Sequence, residues 1–207
     1  MAAWSWTGWD EATMEPWASA EGFRLRGDYL WSVVLHAAAQ KLVVGIAIGT
    51  FVVALVVRWV HPHASWPASA IAVVVSMGIS SLIVGVLKDL TNQPCPWDLA
   101  RWGGSFVPGS GDEASAAFRG WPAAHASAGF GWIALYFAAR WHERPRAWLW
   151  LSPALLLGLL FAATQHVRGA HFPSHNAWAL LIAWLSAILV HATRAALAVR
   201  RRKMPPL

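Results

Sequence analysis

"PASAIAVVVSMGISSLIVGVL", residues 67–87, runs without a charged side chain and then meets Lys88. A helix needs about 20 mostly apolar residues to cross a bilayer, and this stretch supplies them. Four further stretches meet the same criterion, at roughly 42–60, 121–139, 147–164 and 174–193. Composition agrees. The 207 residues are 57% apolar and only 13% charged, where a soluble domain carries about 25% charged side chains. Tryptophan, which prefers the membrane–water interface, occurs sixteen times. The expected fold is all-α: an integral membrane helical bundle of about five transmembrane helices plus an N-terminal interfacial amphipathic helix. That last element is residues 29–40, "YLWSVVLHAAAQ", apolar but closed by Lys41, and it reads equally as an extension of the first span. Residues 1–28, rich in Trp and acidic groups, read as a surface-lying arm, 29–196 as the membrane domain and 197–207 as a basic tail.

Charge placement sets the orientation, because Lys and Arg favour cytoplasmic loops. With the C-terminus inside, one face collects Arg58, Arg140, Arg144, Arg146, Arg194 and the "RRRK" run at 200–203, against Glu143 as its one acid. The net charge of +6 is therefore topological and does not point to nucleic acid. The opposite face, periplasmic for a chain of a bacterial inner membrane, receives residues 1–41, the long loop 88–120 and the short loop 165–173. No cleavable signal peptide is visible at the start. Cys95 stands alone, which excludes an internal disulfide or a cysteine-rich metal site. The spans carry almost no charge between their ends, unlike a transporter with a polar midplane site.

The polar chemistry gathers on that one face in three clusters. In "KDLTNQPCPWD", 88–98, Lys88 ends a span and two prolines stop the helix; the bland alternative is a snorkelling lysine before a turn. In "RGWPAAHASAGFGW", 119–132, Pro122 suits a first helical turn, His125 lies in that turn, and small residues such as Ala124 let an anion approach free backbone amides. Close helix packing explains the same small residues. In "RGAHFPSHNAW", 168–178, Pro173 and Ser174 look like a helix start with Ser174 as a possible N-cap. His171 and His175 are four apart, a metal-pair spacing on one helix, but Pro173 separates them and no glutamate of an H-E-x-x-H motif lies between. Together the clusters offer cations to hold phosphoryl oxygens, one histidine to attack phosphorus and another to protonate the leaving oxygen.

In order and spacing these clusters resemble the type 2 phosphatidic acid phosphatase superfamily, membrane enzymes related to vanadium haloperoxidases. Its signature is K-x6-R-P, then P-S-G-H, then S-R-x5-H-x3-D. Lys88 is followed after six residues by Cys95-Pro96; "PAAH", 122–125, stands for the second motif; "TQHVRGAHFPSH", 164–175, stands for the third. "CPWDL" and "RGAHFPSH" are similar to a bacterial subgroup of membrane lipid phosphatases. The resemblance covers about residues 30–195. It implies His171 as nucleophile, His125 as general acid, Lys88 as phosphoryl ligand and His175 in the place of the aspartate that orients the nucleophile. It also implies that no metal or other cofactor is needed.

Further motif positions depart from the pattern besides His175: Cys95 and Gln165 replace arginines, and Ala123 and Ala124 replace Ser and Gly. The lost positive charge needs a substitute. Arg168, three residues after Gln165 and so about a turn further along a helix, is the first candidate; Arg101 and Arg119 are weaker ones, and Asp98 is a candidate for the missing orienting carboxylate. The implied activity is hydrolysis or transfer of a phosphate on a membrane lipid, with lipid A, undecaprenyl pyrophosphate, phosphatidate and phosphatidylglycerol phosphate as candidate substrates. A lipid-phosphate-binding protein without catalysis, and a metal-dependent membrane hydrolase using His125, His171 and His175, are the alternatives.

Overall fold

The computed structural model describes residues 8–110, 117–142 and 145–203. Residues 1–7 of the expected surface arm and 204–207 of the basic tail lie outside them, as do Glu143 and Arg144 of the charge count. The architecture is all-α apart from a two-residue hairpin. In chain order it consists of a short helix α1 (Trp9–Met14), strands β1 (Ala18–Ser19) and β2 (Gly22–Phe23), and helices α2 (Ala39–Val60), α3 (Trp66–Thr91), α4 (Ala124–Phe130), α5 (Ala134–Trp141), α6 (Leu151–Val167) and α7 (Pro173–Lys203). A π-helical stretch, Leu30–Ala38, runs directly into α2. Residues 29–40 therefore extend the first span and do not form a separate interfacial helix; the separate N-terminal helix is α1.

Four helical segments are long and apolar enough to cross a membrane: Leu30–Val60, Trp66–Asp98, Ala147–Val167 and Pro173–Arg201. The fifth expected span, 121–139, is broken. It folds as α4 and α5 joined by a 3-10 turn at Gly131–Ile133, so neither piece alone is long enough. The pair still traverses the bundle. Ala123, at the head of α4, donates its N–H to the His175 carbonyl at the start of α7 (3.2 Å). His142, just past α5, pairs through Nε2 with Ser69 Oγ in the first turn of α3 (2.9 Å). Those anchors lie at opposite ends of α3 and α7, a helix length of roughly 28 Å at 1.5 Å per residue.

Close packing flanks the break. α4 crosses α6 where two glycines face each other: a Cβ on Gly129 would lie 2.7 Å from Gly158 Cα, and a Cβ on Gly158 would overlap the Phe130 ring. Such close approach is how helices associate where the surrounding lipid is as apolar as their side chains. The resulting core joins Ala123, Ala126, Phe130 and Ile133 to Ala154, Ala162, Ala179 and Ala183. The large apolar residues of α2, including Leu42, Ile48 and Trp59, face outward, as a lipid-facing surface requires.

The N-terminal arm is not a loose surface segment. Met14 and Phe23 pack with Leu99 and Trp102 into a second small core that also touches Phe172. This places the arm over the loop 168–173, directly above the starts of α4 and α7.

Candidate active site

Three chain segments deliver the polar groups to one end of the bundle. Lys88 arrives on the last turn of α3, His125 on the first turn of α4, and His171 and His175 flank Pro173 at the head of α7. With Gln165 and Arg168 they are buried, none more than 8% exposed. The His171 and His175 rings meet edge to face with centroids 5.9 Å apart. The Gly120 backbone lies against both rings, and Lys88 and His125 act electrostatically on His171. Gly120 permits this arrangement because its loop runs tightly along 93–95: its N–H donates to the Gln93 carbonyl (2.6 Å), and a side chain there would overlap the Pro94 carbonyl.

Burial holds the His171 imidazole far below its ordinary pKa, with the Lys88 ammonium and His175 adding to the effect. A buried cation is disfavoured, and a nearby positive charge disfavours it further. His171 is consequently neutral, with a lone pair for attack. Its Nδ1, the Nδ1 of His175 and both ring nitrogens of His125 have no hydrogen-bond partner of normal geometry. Buried polar atoms left in that state are costly, by about 1–3 kcal/mol each, unless a ligand satisfies them.

A second polar chain adjoins the first. Gln165 Oε1 accepts from Arg168 (2.9 Å), and Gln165 Nε2 pairs with His36 Nδ1. The His36 ring packs tilted against His125, centroids 4.5 Å apart, and His125 packs on Phe161 at 4.4 Å. Arg168 also donates from Nε to the Arg26 carbonyl (3.2 Å) and lies 6.0 Å from the Trp97 ring. Burial lowers its pKa, with Arg26 contributing. Arg168 thus stands on the His36–His125 side of the site, with Gln165 as its bridge.

The remaining expected residues lie elsewhere. Asp98 accepts the Cys95 backbone N–H (2.8 Å) and turns the loop after α3; no histidine leans on it. Arg101 pairs with Glu11 and Glu15 (2.8 Å to Glu15) and fastens the arm. Arg119 pairs with Asp89, both exposed, while its carbonyl accepts from the Lys88 ammonium. Ala124 opens α4 beside His125. Cys95 is half-buried and adjoins Lys88 without carrying the missing positive charge. Among the described residues no three His, Cys, Asp or Glu side chains group closely enough to hold a metal ion.

Two participants were not foreseen. His36 sits in an apolar run whose only hint is a lone histidine. Asp10, 5% exposed, reaches from α1 to the head of α7, where its carboxylate accepts the Ser174 N–H (3.0 Å) and the Ser174 hydroxyl. Ser174 was expected to cap its own helix; Asp10 caps it instead. Beside it a cavity of about 540 Å³ opens between Asp10, His175, Trp121 and Trp178.

The fold is of the membrane helical-bundle class, with basic and imidazole groups gathered from the ends of three helices. The family model of the PAP2 superfamily matches residues 69–198, and the chain belongs to that superfamily. Its members are phosphatases, which places the protein among phosphoric ester hydrolases. No curated protein and no solved structure matches the chain.

Proposed function

We propose that the protein removes, or transfers, the phosphate of a lipid phosphomonoester or pyrophosphate at the periplasmic face of a bacterial inner membrane. The observation that carries the reading is the burial of Lys88, His125, His171 and His175 together, with imidazole nitrogens that lack a hydrogen-bond partner of normal geometry among the described residues. A phosphate with its several acceptor oxygens supplies the missing partners.

In this reading the neutral His171 attacks phosphorus in line with the leaving oxygen, forming a P–N bond as the P–O bond breaks. Lys88 holds the equatorial oxygens, where charge is spread in the transition state. Arg168 adds positive potential from the His125 side. The negative charge of the bound phosphate stabilises a proton on His125, which passes to the leaving oxygen. Water, deprotonated by His125, then attacks the phosphohistidine, restoring His171 and releasing phosphate. His175 is a positioning residue: its ring abuts His171, and its carbonyl ties the head of α7 to α4.

The test is a panel of lipid phosphates, including lipid A, undecaprenyl pyrophosphate, phosphatidate and phosphatidylglycerol phosphate, with released phosphate measured for the purified protein. Release by wild type and by His63→Ala, an exposed loop variant, together with loss in His171→Ala, supports the reading. Acid-labile, base-stable phosphorylation of His171 during turnover supports the covalent step. Binding without release for every lipid would make the chain a non-catalytic relative, and release that a chelator abolishes and zinc restores would overturn the phosphohistidine step.

A further inference from the structure

The end of the bundle opposite the phosphatase site carries a second polar cluster. Ser69, on the first turn of α3, is buried; its Oγ pairs with His142 Nε2 (2.9 Å) and accepts from Arg194 Nη2 on α7 (3.2 Å). Arg194 lies against the Trp141 ring, 4.4 Å from its centroid. Its other terminal nitrogen, Nη1, is buried and has no partner, and no carboxylate pairs with it among the described residues. Among the described residues this half-buried cation has no counter-ion, which is costly beside apolar helices, and a bound anion would supply one.

Ser69 and His142 also line a cavity of about 1070 Å³ whose remaining wall is mostly apolar, including Val73, Leu135, Leu149 and Pro153. That volume is at the upper limit of small-molecule sites, roughly 300–1,000 Å³, and suits a long apolar chain. Trp66, Trp141, Trp148 and Trp150 are exposed around this end, and Arg146 stands at the mouth. Exposed tryptophans mark the level at which lipid headgroups lie. From Ser69 to Lys88 along α3, and from His175 to Arg194 along α7, the distance is roughly 28 Å, so the two sites face opposite leaflets.

We propose that this cavity is a binding site for an anionic phospholipid of the opposite leaflet, with an acyl chain in the cavity and the headgroup phosphate on Arg194, Ser69 and His142. Charge complementarity and the apolar wall together favour a lipid over a free anion. The site is separate from the phosphatase chemistry and stands whether or not that chemistry is correct.

The full chain is reconstituted in phosphatidylcholine vesicles doped with phosphatidylglycerol bearing a diazirine on its acyl chain, and photolabelled peptides are mapped. Labelling is expected within 66–73, 135–139 and 149–153. Arg194→Gln lowers it about tenfold, the loss of one charge-assisted contact, and a phosphatidylcholine probe labels correspondingly less. Leu135→Trp, which fills the cavity while keeping Arg194, gives the same loss and serves if Arg194→Gln fails to fold. Excess inorganic phosphate leaves the labelling in place. Labelling that misses these segments, survives both variants, is matched by the phosphatidylcholine probe or is displaced by inorganic phosphate overturns the proposal.

Discussion

Asp10→Ala tests whether the N-terminal arm builds the site or merely covers it. The Asp10 carboxylate is the cap of α7, accepting both the amide and the hydroxyl of Ser174. Hydrogen bonds to a charged acceptor contribute about 1.5–3 kcal/mol each, but the variant also relieves the burial of the carboxylate. Measured losses for an aspartate cap replaced by alanine are about 0.5–2 kcal/mol. With the Ser174 hydroxyl also left unpaired, a local loss of about 1–3 kcal/mol follows, roughly a 5- to 150-fold increase in opening at the head of α7. Hydrogen exchange read by mass spectrometry over residues 171–178 measures it. Asp10→Asn, which keeps an acceptor for the amide, should lose about half as much free energy. Exchange in the middle of α7 should not change. Because His175 starts this helix and abuts His171, turnover should fall by the fraction of molecules left open, while KM holds. Unchanged exchange at 174–177 in Asp10→Ala would sink the claim that the arm holds the site.

Four further outcomes follow. Arg168→Ala removes the bonds to Gln165 and the Arg26 carbonyl and should lower kcat/KM about 10- to 100-fold, or about 1.4–2.8 kcal/mol; Arg168→Lys, which cannot reproduce the fork, should recover only part of it. Gly158→Val drives a side chain into the Phe130 ring and should destabilise by about 1–3 kcal/mol, read as a lower unfolding midpoint in detergent. The folded pKa of His171 lies below its unfolded value near 6.5, so the unfolded chain binds the extra proton in that interval. Stability contributed by neutral burial is then present above pH 6.5 and lost as pH falls, by about 1.4 kcal/mol per unit; His171→Gln should flatten that part of the stability–pH curve. Arg101→Ala breaks exposed pairs with Glu11 and Glu15 and a cation–π contact with Trp102 (4.6 Å), and should change stability by about 1 kcal/mol and turnover little.

What the sequence disclosed, and what it withheld, divides along a physical line. Spans such as 67–87 were legible because lipid imposes one simple demand, a long apolar run that satisfies its own backbone. The motif histidines and Lys88 were legible because spacing along the chain survives as position at helix ends. The split of 121–139 was not, since the packing around it, Gly129 on Gly158 and Gly131 on Met77, joins residues far apart in the chain whose approach no periodicity announces. Asp10 was hidden for the same reason: it is 164 residues from Ser174, and in the sequence it is one more acid in a Trp-rich arm. His36 looked like an extension residue because its partner Gln165 lies on another helix. Arg168 follows from counting one turn from Gln165, with which it hydrogen-bonds, whereas Asp98, Arg101 and Arg119 pair with other groups.

Within the proposed function, one of the substitutions that set this chain apart, Gln165, has a structural account. Gln165 stands where an arginine would, and it hydrogen-bonds the guanidinium of Arg168 and the ring of His36 at once. An arginine at 165 would face Arg168 across that distance, and two guanidinium groups there would repel. Glutamine, with one acceptor and one donor end, instead couples the displaced cation to the histidine side of the site. Gly169 makes the displacement possible. It holds a positive φ of 77° that suits glycine, its carbonyl accepts the Trp97 N–H (2.9 Å), and any side chain on it would overlap Phe23 of the arm. In that reading an arginine at 168 works together with the turn at Gly169, the arm that packs on that turn and Asp10 at the head of the helix that follows. The prediction this makes is reciprocal: Gln165→Arg in the wild-type background should lower activity, whereas Gln165→Arg combined with Arg168→Gln should recover part of it, and a double variant no better than the single would show that the two positions do not share one charge.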